Sequence, residues 1–363
     1  SISGLAYLNR RPSTIGLKSF LEEGVNSLEN NRFSENAINV TIRTAVDLTS
    51  IPKTRIIDLA VKEEIYPTLG EYYLAEPFAT ALVQNISEEI VELVPASFIQ
   101  AINEEKVFSP GVLVKPGDTV TVNFYTAINP RLEEQNKRRI EMAEFYIYSG
   151  NNNEEGRIQK PVLVNTNNSW NARVSTLKYF VEAQYFFAQT YSKKVLATFQ
   201  DSLQRVPQAQ KVLAVSKIIF ENAVSKMSYV ADPRSSTDFV QFPEQTLELR
   251  GGDCDDLSVL IAALLQSVGV QCAFIDYSSG PVRHVSLMIN TGVEPEEKDA
   301  ISINEQKLFV RESSTGRDEL WIPIEVTEFA SFNQSWNKGA EMFRNEAIEN
   351  LGLAKGLVKI IDF

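Results

Sequence analysis

A chain of 363 residues with 44% hydrophobic side chains can build two cored domains, which excludes a disordered or fibrous chain. Its 47 acidic against 35 basic residues leave a net charge of −12, so phosphate backbones and anionic membrane surfaces are poor partners. No apolar run approaches the roughly 18 residues of a membrane span; the best, "LSVLIAALL", is far shorter and carries Ser258.

The chain opens at Ser1 without Met or a signal peptide, which points to a processed form and leaves localisation unread. Residues 15–30, "IGLKSFLEEGVNSLEN", place Leu17, Phe20, Leu21, Val25 and Leu28 at helical spacing, within a lead-in expected over 1–36. From Asn39 the period becomes two, through Val40 and Ile42 in "NVTIR" and Val120, Val122 and Phe124 after the turn signal "KPGD". "ALVQNISEEIVELVPASF" reads as two strands around a polar turn, and "EFYIYSG" closes the run. Short strands without helical crossovers favour an antiparallel β-sandwich of immunoglobulin-like type over 37–150.

An Asn- and Gly-rich stretch makes 151–172 the expected linker. Beyond it, 173–363 reads as one α+β domain. Apolar helical patterns fill 174–203 and 208–228. Strand-like runs follow at "CAFIDY", "HVSLMIN", "KLFVRES" and "LWIPIEV", and a final helix covers 333–351 with Trp336, Met342 and Phe343 on its apolar side.

Between those helices and strands lies "LELRGGDCDDLSVLIAALLQSVGV". Leu257, Leu260, Ile261, Leu264, Leu265 and Val268 form one stripe, with Asp253 the expected N-cap and Gly269 the C-terminal cap. Cys254 then sits in the first turn, where free amides and the helix dipole favour thiolate. Asp253, Asp255 and Asp256 oppose that by like-charge repulsion, so a cationic partner is required. The one histidine, His284, opens the strand "HVSLMIN" after the flexible "SSGPVR" and is the candidate general base. Glu325, the carboxylate inside an apolar strand, is the first choice to orient it, ahead of Asp276, Glu312 and Asp318.

Each residue also has an ordinary structural reading: Cys254 an inert helix-start residue, His284 a strand residue, Glu325 a solvated edge residue, and Asp255–Asp256 a complement to the helix end. The combination is what points to chemistry. No second Cys or His at close spacing supports a metal site, no cofactor is expected, and two cysteines, with Cys272 in an apolar run, are expected to form no bridge.

"GGDCDDLSVLIAALLQSVGV" closely resembles the cysteine-helix motif of the transglutaminase-like superfamily, the papain-related group with a Cys-His-acid triad. "YVADP", "VQFPEQTLELRGGDCDDLSVL", "CAFI" and "WIPIEVT", with "EEIYPTLGEYYLAEPFATALVQN" and "NNSWN", resemble a bacterial cell-envelope family that joins a β-sandwich to such a domain, over roughly 60–340. The resemblance implies a Cys254 nucleophile, a His284 base and a Glu325 orienting acid, in a periplasmic, surface or secreted protein. In that family His follows Gly directly; here Pro281, Val282 and Arg283 intervene. No oxyanion side chain is evident; Gln241, Gln245 and the Cys254 N–H are the options. The expected function is a thiol-dependent acyl transfer on a protein or peptide substrate, cell-wall peptide included. The alternative is an inactive scaffold that serves as an envelope binding module.

Overall fold

The computed structural model describes residues 52–128, 137–150, 153–182, 185–232, 238–277 and 283–363. The helix expected at 15–30, the strand at 39–43 and all but Arg283 of the turn before His284 lie outside the described residues.

In the first half, β1 (Thr54–Val61), β2 (Glu64–Ile65), helix α1 (Gly70–Ala75), β3 (Ala79–Asn85), β4 (Val91–Ile99), β5 (Val107–Phe108), β6 (Val112–Val114), β7 (Thr119–Phe124), β8 (Arg139–Ser149) and β9 (Asn153–Val164) follow one another. They form a three-stranded sheet, β1-β3-β7, and a six-stranded one, β2-β9-β8-β4-β5 with β6 also on β4. Alternation sends Ala143, Phe145 and Ile147 of β8 inward, where Phe145 meets Phe124 of β7 edge to face at 5.1 Å between centroids. The two strands read around the polar turn at 81–98 exist, but β3 and β4 enter different sheets. Most of the stretch expected as a linker is not a linker. β9 pairs with β8 from Asn153 to Val164.

The second half begins with β10 (Ser169–Trp170), α2 (Lys178–Glu182), α3 (Tyr185–Ala197), α4 (Gln200–Gln204) and α5 (Lys211–Val224). The pattern expected as continuous over 174–203 is therefore broken, in one place at Phe199, which leaves helical geometry with φ −113° and ψ 13°. Then come β11 (Ser228–Tyr229), β12 (Asp238–Phe239), α6 (Pro243–Leu249), β13 (Gly251–Gly252) and α7 (Cys254–Gln266). Helix α7 starts at Cys254 with Asp253 as N-cap residue, as expected, and Gly269 ends it at φ +84° with Val270 N donating to Leu265 O at 3.1 Å. Its single stripe is a misreading: every residue from Asp255 to Leu265 is buried, because helices and sheet surround α7.

The remaining elements are β14 (Cys272–Tyr277), β15 (His284–Asn290), β16 (Phe309–Glu312), β17 (Asp318–Ile324), α8 (Phe332–Phe343) and β18 (Val358–Asp362). Five strands pair antiparallel in the order β16-β17-β15-β14-β18. Both sheet faces are covered. Cys272, Phe274, Val285, Leu287, Ile322 and Ile324 pack into the main core on the α7 side, while Ala273, Ile275, Tyr277, Met288 and Trp321 pack on the other. The helix expected to reach 351 changes to a π-helical turn at Arg344–Glu349, and β18, unforeseen, pairs with β14. Mixed α/β architecture with several antiparallel sheets is the result. Among the described residues no helix is long and apolar enough to cross a membrane.

Candidate active site

Strand alternation builds the His284–Glu325 contact. His284 pairs across with Tyr277 in the β14–β15 ladder, and their rings stack at 6.0 Å and 29° on the face that Trp321 and Pro323 share. Glu325 continues that parity one residue past the end of β17, rather than inside the strand as expected. His284 Nε2 and Glu325 Oε2 stand 2.8 Å apart, with Glu325 only 2 % exposed and His284 27 %.

Glu325 is held from all sides. Its Oε1 accepts from Thr327 N at 3.1 Å and Thr327 Oγ1 at 2.5 Å. Its backbone accepts from Ser335 Oγ at 2.8 Å and donates to Ser335 O at 3.1 Å. Burial works against ionisation, yet the hydrogen bond and charge of His284, with Thr327, outweigh it and hold the carboxyl below its ordinary range. The other acids fall elsewhere. Glu312 and Asp318 pair at the far end of the β16–β17 ladder, and alternation puts Asp276 on the face opposite Tyr277.

Helix α7 points its first turn at the start of β15. Ser258 Oγ donates to Val285 O at 3.5 Å, and one turn earlier the Val285 N–H donates toward the sulfur of Cys254. The thiol thus sits beside the residue that follows His284. It is not hydrogen-bonded to the imidazole; its contact is Asp255 Oδ1 at 3.8 Å. Burial, then Asp255, Asp253 and Glu325, push the thiol far above its ordinary value, against the favourable Val285 N–H. The structure therefore holds Cys254 as a neutral thiol, where sequence arguments anticipated help from a cation. Cys272 is buried and also free, so no bridge joins the two.

The aspartates do separate jobs. Asp256, fully buried, accepts from Gln241 N at 2.7 Å and Asp253 N at 3.3 Å, tying the chain before α6 to the mouth of α7. Burial first, then Asp253 and Asp232, raise it to about 7. Gly252 permits this latch, since a Cβ there would lie 2.6 Å from the Asp256 Cβ. Asp255 is pushed well above the carboxylate range by burial first and then by its hydrogen bond with Asp253. Asp253, Cys254 and Asp255 bring one donor atom each within 4.8 Å of one another.

Gln245 is engaged with Asn168: its Oε1 accepts from Phe242 N at 2.9 Å and Asn168 Nδ2 at 2.7 Å, and its Nε2 donates to Asn168 Oδ1 at 3.5 Å. That bond joins the "NNSWN" segment to α6. Sequence reasoning missed Tyr277, Thr327 and the Asp256 latch. Of these, only Thr327 had a local signal, the hydroxyl two residues after a carboxylate.

No protein-family model and no curated protein matches the chain. A crystal structure named as a "putative protease" from Parabacteroides distasonis shares 10% identity, covering 58% of this chain and 61% of that one, with a TM-score of 0.25. A "putative cysteine protease" from Cytophaga hutchinsonii shares 10% over 69% of this chain and 75% of its own, with a TM-score of 0.24. The chain spans less than two thirds of the first of these.

Proposed function

We propose that this protein is a thiol-dependent acyl-transfer enzyme of transglutaminase-like architecture, joined to an immunoglobulin-like sandwich and working in a bacterial cell envelope on peptide or amide bonds. The 2.8 Å bond between buried, ionised Glu325 and the chain's one histidine carries the reading, because that imidazole opens the strand that touches the nucleophile's helix.

Glu325 occupies Nε2, which leaves Nδ1 of His284 to take a proton. With Cys254 neutral at rest, His284 acts as general base during attack. Sγ bonds to the carbonyl carbon as its proton passes to Nδ1. The imidazolium, stabilised by Glu325, returns that proton to the leaving amine as the C–N bond breaks. Water or an amine then displaces sulfur from the acyl-enzyme through the same base. The Cys254 N–H, one of the free amides of the first turn, is the candidate donor to the oxyanion.

One observation favours the inactive-scaffold reading: the thiol faces Asp255, and acids depress its ionisation. Replacement of His284 by Ala decides between the two. An enzyme loses Cys254 acylation by an activated ester at least about 100-fold; a scaffold acylates at the same slow rate with or without the ring.

A further inference from the structure

Strand β11 runs parallel to β13, the two glycines that lead into Asp253 and Cys254. Ser228 N donates to Arg250 O and Val230 N to Gly252 O, at 3.1 and 3.0 Å. In a parallel pair alternate residues address the partner, so the N–H and C=O of Tyr229 face the other way. Among the described residues no strand pairs with that outer edge. Tyr229 and Val230 are each 55% exposed, which leaves a short unprotected edge one strand from the nucleophile. Its surroundings are acidic: Asp232 follows Val230 and Ala231, Asp238 opens β12, and Asp253 follows β13. Tyr229 lies within the field of Asp253, Asp255 and Asp232.

From this edge and its charge we infer that β11 is the docking strand for the substrate: an extended peptide with a cationic side chain adds to Tyr229 by main-chain hydrogen bonds, one strand out from the glycines that lead into Cys254. The inference rests on the thiol reading above and supplies its substrate class. Backbone pairing gives affinity without sequence, and Asp232 with Asp253 supplies the charge preference. The exposed ring of Tyr229 offers a stacking face for the stem of a Lys or Arg.

The test alkylates the full chain with Ala-Lys-Ala and Ala-Glu-Ala chloromethyl ketones, and with an Ala-Lys-Ala reagent methylated on its amide nitrogens. The Lys reagent is expected to modify Cys254 about tenfold or more faster than the Glu reagent, and N-methylation to slow it about tenfold. Asp232→Lys is expected to shrink the Lys-to-Glu ratio towards one. Equal rates for the Lys and Glu reagents, or no effect of N-methylation, overturn the docking strand. Iodoacetamide separates this from a failure of the thiol reading. If wild type and His284→Ala react alike with that small reagent, the nucleophile itself is misassigned.

Discussion

His284 and Glu325 meet because two antiparallel neighbours carry them on one sheet face, with Nε2 2.8 Å from Oε2. The contact buries the carboxylate and leaves the ring's other nitrogen for chemistry.

Glu325→Gln keeps the shape but loses the charge that stabilises an imidazolium. Acylation of Cys254 is expected to fall by about 10–100-fold while the fold persists, measured by stopped-flow with an activated ester. Thr327→Val removes the donors to Oε1 only in part, since the backbone N–H remains, and should cost less.

Acid stability has a worked sign. The folded Glu325 carboxyl lies below its ordinary value of about 4.3, so its stabilisation is present above that pH and lost as pH falls through the lower folded value. Glu325→Gln should therefore flatten the acid limb of the melting temperature, followed by circular dichroism.

Asp256 acts with the opposite sign. Its folded value of about 7 exceeds the unfolded value of about 3.9, so its contribution is full below the latter and lost as pH rises through 7. The melting temperature should decline from about pH 4 to pH 7 and level off above it, and Asp256→Asn should reduce that decline.

Gly252→Ala drives a methyl into the Asp256 Cβ at 2.6 Å. A loss of about 1–3 kcal/mol is expected in urea unfolding, with slower Cys254 acylation as the Gln241–Asp256 latch shifts.

Much of this site was legible in residues alone. The helix start at Cys254, the strands at 272–277 and 284–290, and the choice of Glu325 over Asp276, Glu312 and Asp318 as the acid beside His284 all follow local rules of capping, period and buried charge. What tertiary packing decides was not. The uniform burial of α7 comes from its neighbours and not from its own stripe, and β9 begins within an Asn-rich stretch of sequence that reads as a boundary. The Val285 N–H at the sulfur and the Asp253–Asp255 hydrogen bond are backbone and pair effects with no composition to announce them.

The most direct measurement is the pH–rate profile for iodoacetamide alkylation of Cys254 in wild type and His284→Ala, with buried Cys272 as internal reference. A wild-type profile that changes shape when the ring is removed, with a fall in rate of at least about tenfold, is the expected result. Superimposable profiles would show a sulfur that owes nothing to the imidazole and contradict the account.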